Sequence, residues 1–300
     1  MKAAVFDYRR ARSVEEAAAL LAEGGGNTRL LAGGQSLGPM LNLRLARPAR
    51  LVDIKRAEGL RDVAADDAVF SIGAAFTHAE IEDGTIEDPT DGLLRRIAGG
   101  IAYRAIRNRG TLGGSLAHAD PAAEWVSAMA ALGAVIVAYR AGGRLRRLPA
   151  DRFLRGAFAT ALAEDEVLTA VEVPRLSRQA RFGYYKLCRK AGEFAKAIGI
   201  AVLDPDRGIA RVLAGAVDGA PVPLPITAAR LRDAGPHAAV RTVTDEIGVR
   251  PTPWPPPPDP LPQGEGEVCT LLPHLTAAER ALRATAVCRA IMQLDIARAS

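Results

Sequence analysis

A chain of 300 residues with 49% hydrophobic and 24% charged side chains has a globular composition, and at roughly 100–200 residues per core it holds two domains. Its 39 basic and 34 acidic residues leave a net charge of +5 spread along the sequence, with only 5% aromatics. That excludes the clustered Lys/Arg with interleaved aromatics of a nucleic-acid reader, and the short group Arg104, Arg107, Arg109 reads as a solvated helix end.

No apolar run approaches the ~20 residues of a membrane helix. The opening Met1-Lys2-Ala3-Ala4-Val5-Phe6-Asp7 meets an acid before a secretory signal forms, so a cytoplasmic chain is expected. Cys188, Cys269 and Cys288, like His78, His118, His237 and His274, are scattered without metal-ligand spacing. The chain itself is expected to hold neither a metal nor a disulfide framework.

In chain order, residues 3–6 read as a strand, and Ser13-Val14-Glu15-Glu16 as a capping box opening a helix that runs to Gly24-Gly25-Gly26. Strands follow at 29–32 and 51–54, the first leading into the loop Gly33-Gly34-Gln35-Ser36. Next come a strand at 69–73, a second capping box at Thr77-His78-Ala79-Glu80, and helical spacing of Leu93, Leu94, Ile97 and Ile101. Asp120-Pro121 reads as an N-cap with proline at the first helical position, before a helix that buries Trp125, Met129 and Leu132. Strands at 134–139 and 167–173 close this part. Beyond a polar stretch at 175–181, three strands read at 182–187, 197–203 and 209–217, with helices at about 227–234 and 277–297 to cover them. Eight prolines between Arg250 and Gly266 leave an extended or disordered excursion.

Two glycine stretches carry the chemistry: Ala32-Gly33-Gly34-Gln35-Ser36-Leu37 and Thr111-Leu112-Gly113-Gly114-Ser115-Leu116. Paired glycines remove the Cβ atoms that would block a close ligand, and the amides and serine hydroxyl that follow donate to phosphate oxygens. One such stretch alone reads as an ordinary turn. Two in one α/β region suit the diphosphate of a dinucleotide. Neither fits G-x-G-x-x-G or G-x-x-x-x-G-K, so spacing reaches a phosphate-containing ligand and no further.

The first stretch, the long run Arg107-Asn108-Arg109-Gly110-Thr111-Leu112-Gly113-Gly114-Ser115-Leu116-Ala117-His118-Ala119-Asp120-Pro121-Ala122-Ala123-Glu124-Trp125, and Glu166-Val167-Leu168-Thr169-Ala170-Val171 together resemble the FAD-binding medium subunit of molybdenum hydroxylases. The likeness is nearest to the carbon monoxide dehydrogenase branch and covers residues 1 to about 245. It implies an α+β fold with a vanillyl-alcohol-oxidase-like (PCMH-type) FAD-binding domain at 1–176, split into α/β subdomains at about 1–56 and 57–176. A C-terminal α+β domain at 177–300 would carry a three-stranded antiparallel sheet and the proline-rich insertion at about 250–266.

The resemblance further implies that Ala32, Gly33, Gly34, Gln35, Ser36 and Leu37, with Thr111, Gly113, Gly114 and Ser115, hold the FAD pyrophosphate. Asp120 and Glu124 would lie toward the adenosine, although Asp120 also suits a plain helix N-cap and Glu124 a first-turn acid. His118 would pack or hydrogen-bond near the cofactor, Leu168 and Lys186 would approach the flavin ring, and Phe194 would stack on it where several relatives carry tyrosine. A solvent-facing strand position suits Lys186 equally.

On this resemblance the chain is an oxidoreductase subunit active only in complex. FAD would take electrons from iron-sulfur centres on a small partner subunit, the substrate being oxidised at molybdenum on a large one, and pass them to an external acceptor such as a quinone or NAD. No catalytic side chain is expected, because flavin chemistry belongs to the cofactor. A self-contained flavin dehydrogenase or oxidase, and a structural flavin-binding subunit, stand as alternatives.

Overall fold

In the computed structural model, which describes residues 2–248 and 271–296, the first strand, β1, is Asp7–Arg10 and not 3–6. All four of its side chains are exposed. It is recruited through its main chain, which pairs in parallel with Arg50–Asp53, and an edge held that way needs no apolar pattern. Helix α1 (Val14–Glu23) buries Val14, Ala17, Ala18 and Leu21, an i, i+3, i+4, i+7 stripe. Ser13 Oγ accepts from Glu16 N at 3.3 Å, but the Glu16 carboxylate accepts from Arg12 N at 2.8 Å, one residue before the amide a capping box uses. Next come β2 (Thr28–Leu31), α2 (Leu37–Asn42) and β3 (Arg50–Asp53); the strands form a parallel sheet ordered β1-β3-β2.

The chain continues through β4 (Val63–Ala65), β5 (Val69–Gly73), α3 (His78–Glu82), α4 (Leu93–Gly99), α5 (Arg104–Arg107), α6 (Leu112–His118) and α7 (Glu124–Leu132). It then forms β6 (Val135–Arg140), β7 (Arg144–Pro149), the short hairpin β8 (Leu154–Gly156) and β9 (Ala159–Thr160), and β10 (Glu166–Pro174). An antiparallel sheet of order β4-β5-β10-β6-β7 results, with β10 at its centre. Its two outer strands, β4 and β7, were not expected: their side chains are mostly exposed, and Arg146 and Arg147 of β7 pair with Glu166 and Glu172 of β10. The Thr77/Glu80 capping box at α3 is complete.

Residues Met1–Asp120 and Gly133–Arg175 form one unit, and Pro121–Leu132 with Leu176–Ser300 a second. Asp120-Pro121 does not open α7; Pro121-Ala122 lie in a turn and the helix starts at Glu124. Proline's fixed φ suits a turn as well as a first helical position.

The second unit holds β11 (Arg181–Leu187), β12 (Ala197–Asp204), β13 (Ile209–Gly215) and β14 (Val222–Pro223), antiparallel and in that order. The sheet thus has four strands where three were expected, because a two-residue strand carries no alternation to read. Helices α8 (Pro225–Ala234), α9 (Pro236–Ile247) and α10 (Ala277–Ile296) follow. The unexpected α9 starts on Gly235-Pro236, where proline fits the first turn. Glu246 of α9 accepts from Ile226 N at 2.9 Å and Thr227 N at 2.7 Å, capping α8.

Every residue of β12 is buried, so both faces of the sheet are covered. On one face a Cβ at Gly183 would stand 1.8 Å from Ala290 O and one at Gly199 2.2 Å from Ala286 O, so glycine alone admits α10 at that depth. The row Lys186, Ile198, Gly215 points the other way, toward α7, where a Cβ at Gly215 would stand 2.0 Å from Ser127 Oγ. The proline-rich run at 250–266 and Cys269 lie outside the described residues.

Candidate functional site

In the first unit, β2 delivers residues 32–36 from its carboxyl end and α2 begins at Leu37. Gly34 holds φ +72, a left-handed conformation that glycine enters without a steric cost. Gly33 lies against the chain that precedes the second stretch, for a Cβ there would stand 2.0 Å from Arg109 O and 2.8 Å from Gly110 Cα. Gly114 faces back, its missing Cβ 3.6 Å from Ala32 Cβ. The fold therefore sets the two glycine stretches side by side.

They are not equivalent. The N–H groups of Gly34, Gln35, Ser36 and Leu37 donate to no acceptor among the described residues, while Gly38 N begins the helix by bonding Gly34 O at 2.9 Å. Four open donors and the exposed Ser36 hydroxyl thus stand between a strand end and a helix start, where the backbone dipoles favour an anion. The second stretch, read as a loop, is the first turn of α6. Thr111 Oγ1 accepts from Gly114 N at 3.0 Å, Leu112 N donates to Phe76 O at 2.9 Å, and Gly113 N donates to Ala74 O at 2.9 Å. These three amides are satisfied inside the protein. Gly113 is glycine because a Cβ would meet that of Ala74 at 2.5 Å. Gly114, beside Ala32, and Ser115 stay half-buried.

Beneath this pairing sits His78, expected either at the surface or behind the residues that touch the ligand; it is not at the surface. His78 is buried, its N donates to Gly110 O at 2.9 Å, and its ring lies 2.9 Å from where a Gly110 Cβ would be. Burial first, and the nearby Arg107 charge second, push the imidazole down to about 4, so it is neutral. Arg107 is held by Glu82 at 2.8 and 2.9 Å, and that hydrogen bond keeps the Glu82 carboxyl below its ordinary range.

Half-buried His118 ends α6, with its ring centroid 5.2 Å from that of Phe158. Asp120 is half-buried at the end of the segment. Leu168 is buried in β10 beside a bulge at Thr169, whose carbonyl accepts from Ala74 N at 2.8 Å.

In the second unit, Lys186 Nζ donates to Glu124 Oε1 at 2.5 Å, with side chains only 9% and 7% exposed. Lys186 is therefore not a solvent-facing strand lysine. Phe194 is 69% exposed, next to Glu193, which pairs with Arg189 at 3.3 Å and Lys190 at 3.8 Å. Among the described residues no three His, Cys, Asp or Glu side chains are grouped to hold a metal, and no helix is long and apolar enough to cross a membrane.

Residues 4–176, which include both glycine stretches, match the family described as FAD binding domain in molybdopterin dehydrogenase. The chain belongs to that family. It is 40% identical over 195 residues to the 6-hydroxypseudooxynicotine dehydrogenase complex subunit alpha of Paenarthrobacter nicotinovorans, 65% of this chain and 66% of that one. It is 39% identical over 198 residues to the carbon monoxide dehydrogenase medium chain of Hydrogenophaga pseudoflava, 66% of this chain and 68% of that one. The aligned part spans about two thirds of these relatives' length. Carbon monoxide dehydrogenase from Hydrogenophaga pseudoflava, in a form lacking the Mo-pyranopterin moiety of its molybdenum cofactor, superposes with a TM-score of 0.81 at 30% identity over 99% of both chains. Quinoline 2-oxidoreductase from Pseudomonas putida 86 does so with a TM-score of 0.80 at 29% identity, again over 99% of both. FAD is the cofactor of this family, and these curated relatives are subunits or chains of dehydrogenases.

Proposed function

We propose that this FAD-binding family member is the electron-transfer subunit of a cytoplasmic molybdenum hydroxylase complex, working with a large molybdenum-binding subunit and a small iron-sulfur subunit. The observation that carries the reading is the juxtaposition of the two glycine stretches, with four unpartnered N–H groups on one and a serine hydroxyl on the other, inside the family-matched region.

These residues fit a dinucleotide diphosphate, which needs fixed donors and an approach clear of side chains. Gly34, Gln35, Ser36 and Leu37 would hold it through their N–H groups, and Ser36 and Ser115 through their hydroxyls. Ala32, Gly33 and Gly114 keep the two stretches close, Gly113 seats α6 against Ala74, and Thr111 fixes the first turn of α6. Bound FAD supplies the exchange between one-electron iron-sulfur donors and an external acceptor of two electrons. The protein's task is to bind and orient, with donors already fixed by β2, α2 and α6. The pyrophosphate is assigned to first-unit residues alone, Glu124 and Lys186 being held by each other.

Tagged protein from its native host is expected to be yellow and to bring down a large molybdenum-binding chain and a small iron-sulfur chain. Recovery as a lone, substrate-oxidising flavoprotein would overturn the subunit assignment. A colourless protein that takes up no added FAD would overturn the cofactor assignment.

A further inference from the structure

Phe158 stands where a bulky residue is least at home. The β8–β9 hairpin turns at Ala157-Phe158, and Phe158 holds φ +59, a conformation that turns reserve for glycine or asparagine. Its side chain is also 62% exposed. Neither backbone preference nor burial accounts for a phenyl ring here, and strained residues of this kind persist where the surrounding structure holds them for a purpose.

The surroundings do hold it. Phe158 N donates to Ala119 O at 2.8 Å, and Ala119, the C-cap of α6, is itself left-handed at φ 58. This tie sets the phenyl ring beside the imidazole of His118, centroids 5.2 Å apart and planes tilted by 51°. His118 follows Ser115 by three residues on α6, so the two share one helix face. An exposed aromatic and an imidazole, pinned by two left-handed residues, thus lie one helical turn from the serine assigned to the diphosphate.

We propose that Phe158 and His118 form a stacking platform for a flat heteroaromatic ring of the ligand whose diphosphate the glycine stretches hold, an inference that rests on the FAD reading above. Aromatic faces accept any flat π-system, and FAD offers two, adenine and isoalloxazine, which share that chemistry.

Phe158→Gly tests the platform because it removes the ring and the backbone strain together, with opposite effects. In the full chain freed of flavin, Phe158→Gly is expected to melt at or above the wild-type temperature, while its affinity for FAD falls about two- to tenfold, the usual loss for one aromatic partner. Titration with ADP and with FMN assigns the ring. Weaker ADP binding alone marks adenine; weaker FMN binding, with brighter flavin fluorescence in the variant, marks isoalloxazine. Unchanged affinity for all three would show a strained turn and nothing more. A lower melting temperature of the flavin-free variant would show that the ring holds the fold, which also overturns the platform. Wild-type protein that binds no FAD would overturn the cofactor reading and the platform with it.

Discussion

Gly34 and Gly33 illustrate two different reasons for glycine at adjacent positions. Gly34 is needed for its φ of +72, Gly33 because Arg109 O occupies the place of a Cβ. Gly34→Val forces a β-branched residue into a left-handed conformation, at roughly 1–2 kcal/mol, and sets its branches among the open N–H groups. The variant is expected to fold and purify colourless. Arg147→Ala, which removes an exposed ion pair with Glu172 worth about 0–1 kcal/mol, is expected to keep its flavin absorbance. Without bound FAD the Gly34 variant also loses the stabilisation a ligand gives, about 2.7 kcal/mol at a hundredfold excess over Kd, which a melting curve with and without added FAD detects. Gly33→Val pushes against backbone and is expected to accumulate insoluble. The glycine pairs were legible in the sequence because their composition is unusual. The support from Gly110 and His78 was not, since it requires knowing that Arg109-Gly110 lies against Gly33.

His78 gives the site a pH dependence of predictable sign. Its folded-state value of about 4 lies below the ordinary 6.5, so between those values the unfolded chain takes up the proton first. The stability conferred by the neutral imidazole is complete above about pH 6.5 and is lost as pH falls toward 4, about 3 kcal/mol in all. Melting temperatures recorded between pH 7 and 4.5 should fall less steeply for His78→Gln than for wild type. Equal slopes would mean that His78 takes up its proton as readily in the folded protein as in the unfolded chain. Because Gly110 rests on this ring and Gly33 on Gly110, flavin release on acidification is expected to follow the same variant.

At the scale of elements, the sequence was most readable where the buried residues make a helical stripe or an unbroken apolar run. The stripe of α1 and the apolar run 197–203 of β12 fall within a residue or two of the expected bounds. The strands β4 and β7 escaped because edge pairing draws on the main chain alone, and the first turn of α6 because two glycines read as a break. The fit of α10 on its sheet depends on absent atoms, which no hydropathy pattern records. Gly199→Ala would place its methyl 2.2 Å from Ala286 O and lift α10 from β12, for which about 1–3 kcal/mol is the ordinary cost of overpacking. Glu246→Ala leaves Ile226 N and Thr227 N at the start of α8 without their acceptor, at about 1–3 kcal/mol for the buried Thr227 N, the Ile226 N being open to water. Urea unfolding of both variants measures these losses. Stability equal to wild type at Gly199→Ala would mean that α10 settles at a greater distance without penalty.

On the scale of the whole chain, the family match ends at residue 176, yet one helix inside it folds with what comes after. All nine residues of α7 are buried, and it packs on β12 and β13, which begin at Ala197 and Ile209. A fragment stopping at residue 175 therefore keeps α7 but loses both of those strands and β11, uncovering the buried face that carries Glu124 and Ser127. Such a fragment is expected to aggregate, and one with residues 121–132 replaced by a glycine-serine linker to stay monodisperse in light scattering. On the ribosome the same order holds, because α7 emerges while its strands are still untranslated and must wait for them. The family-matched stretch and the folding unit have different ends, so a gene cut at residue 176 would sever a packing partnership and not a linker.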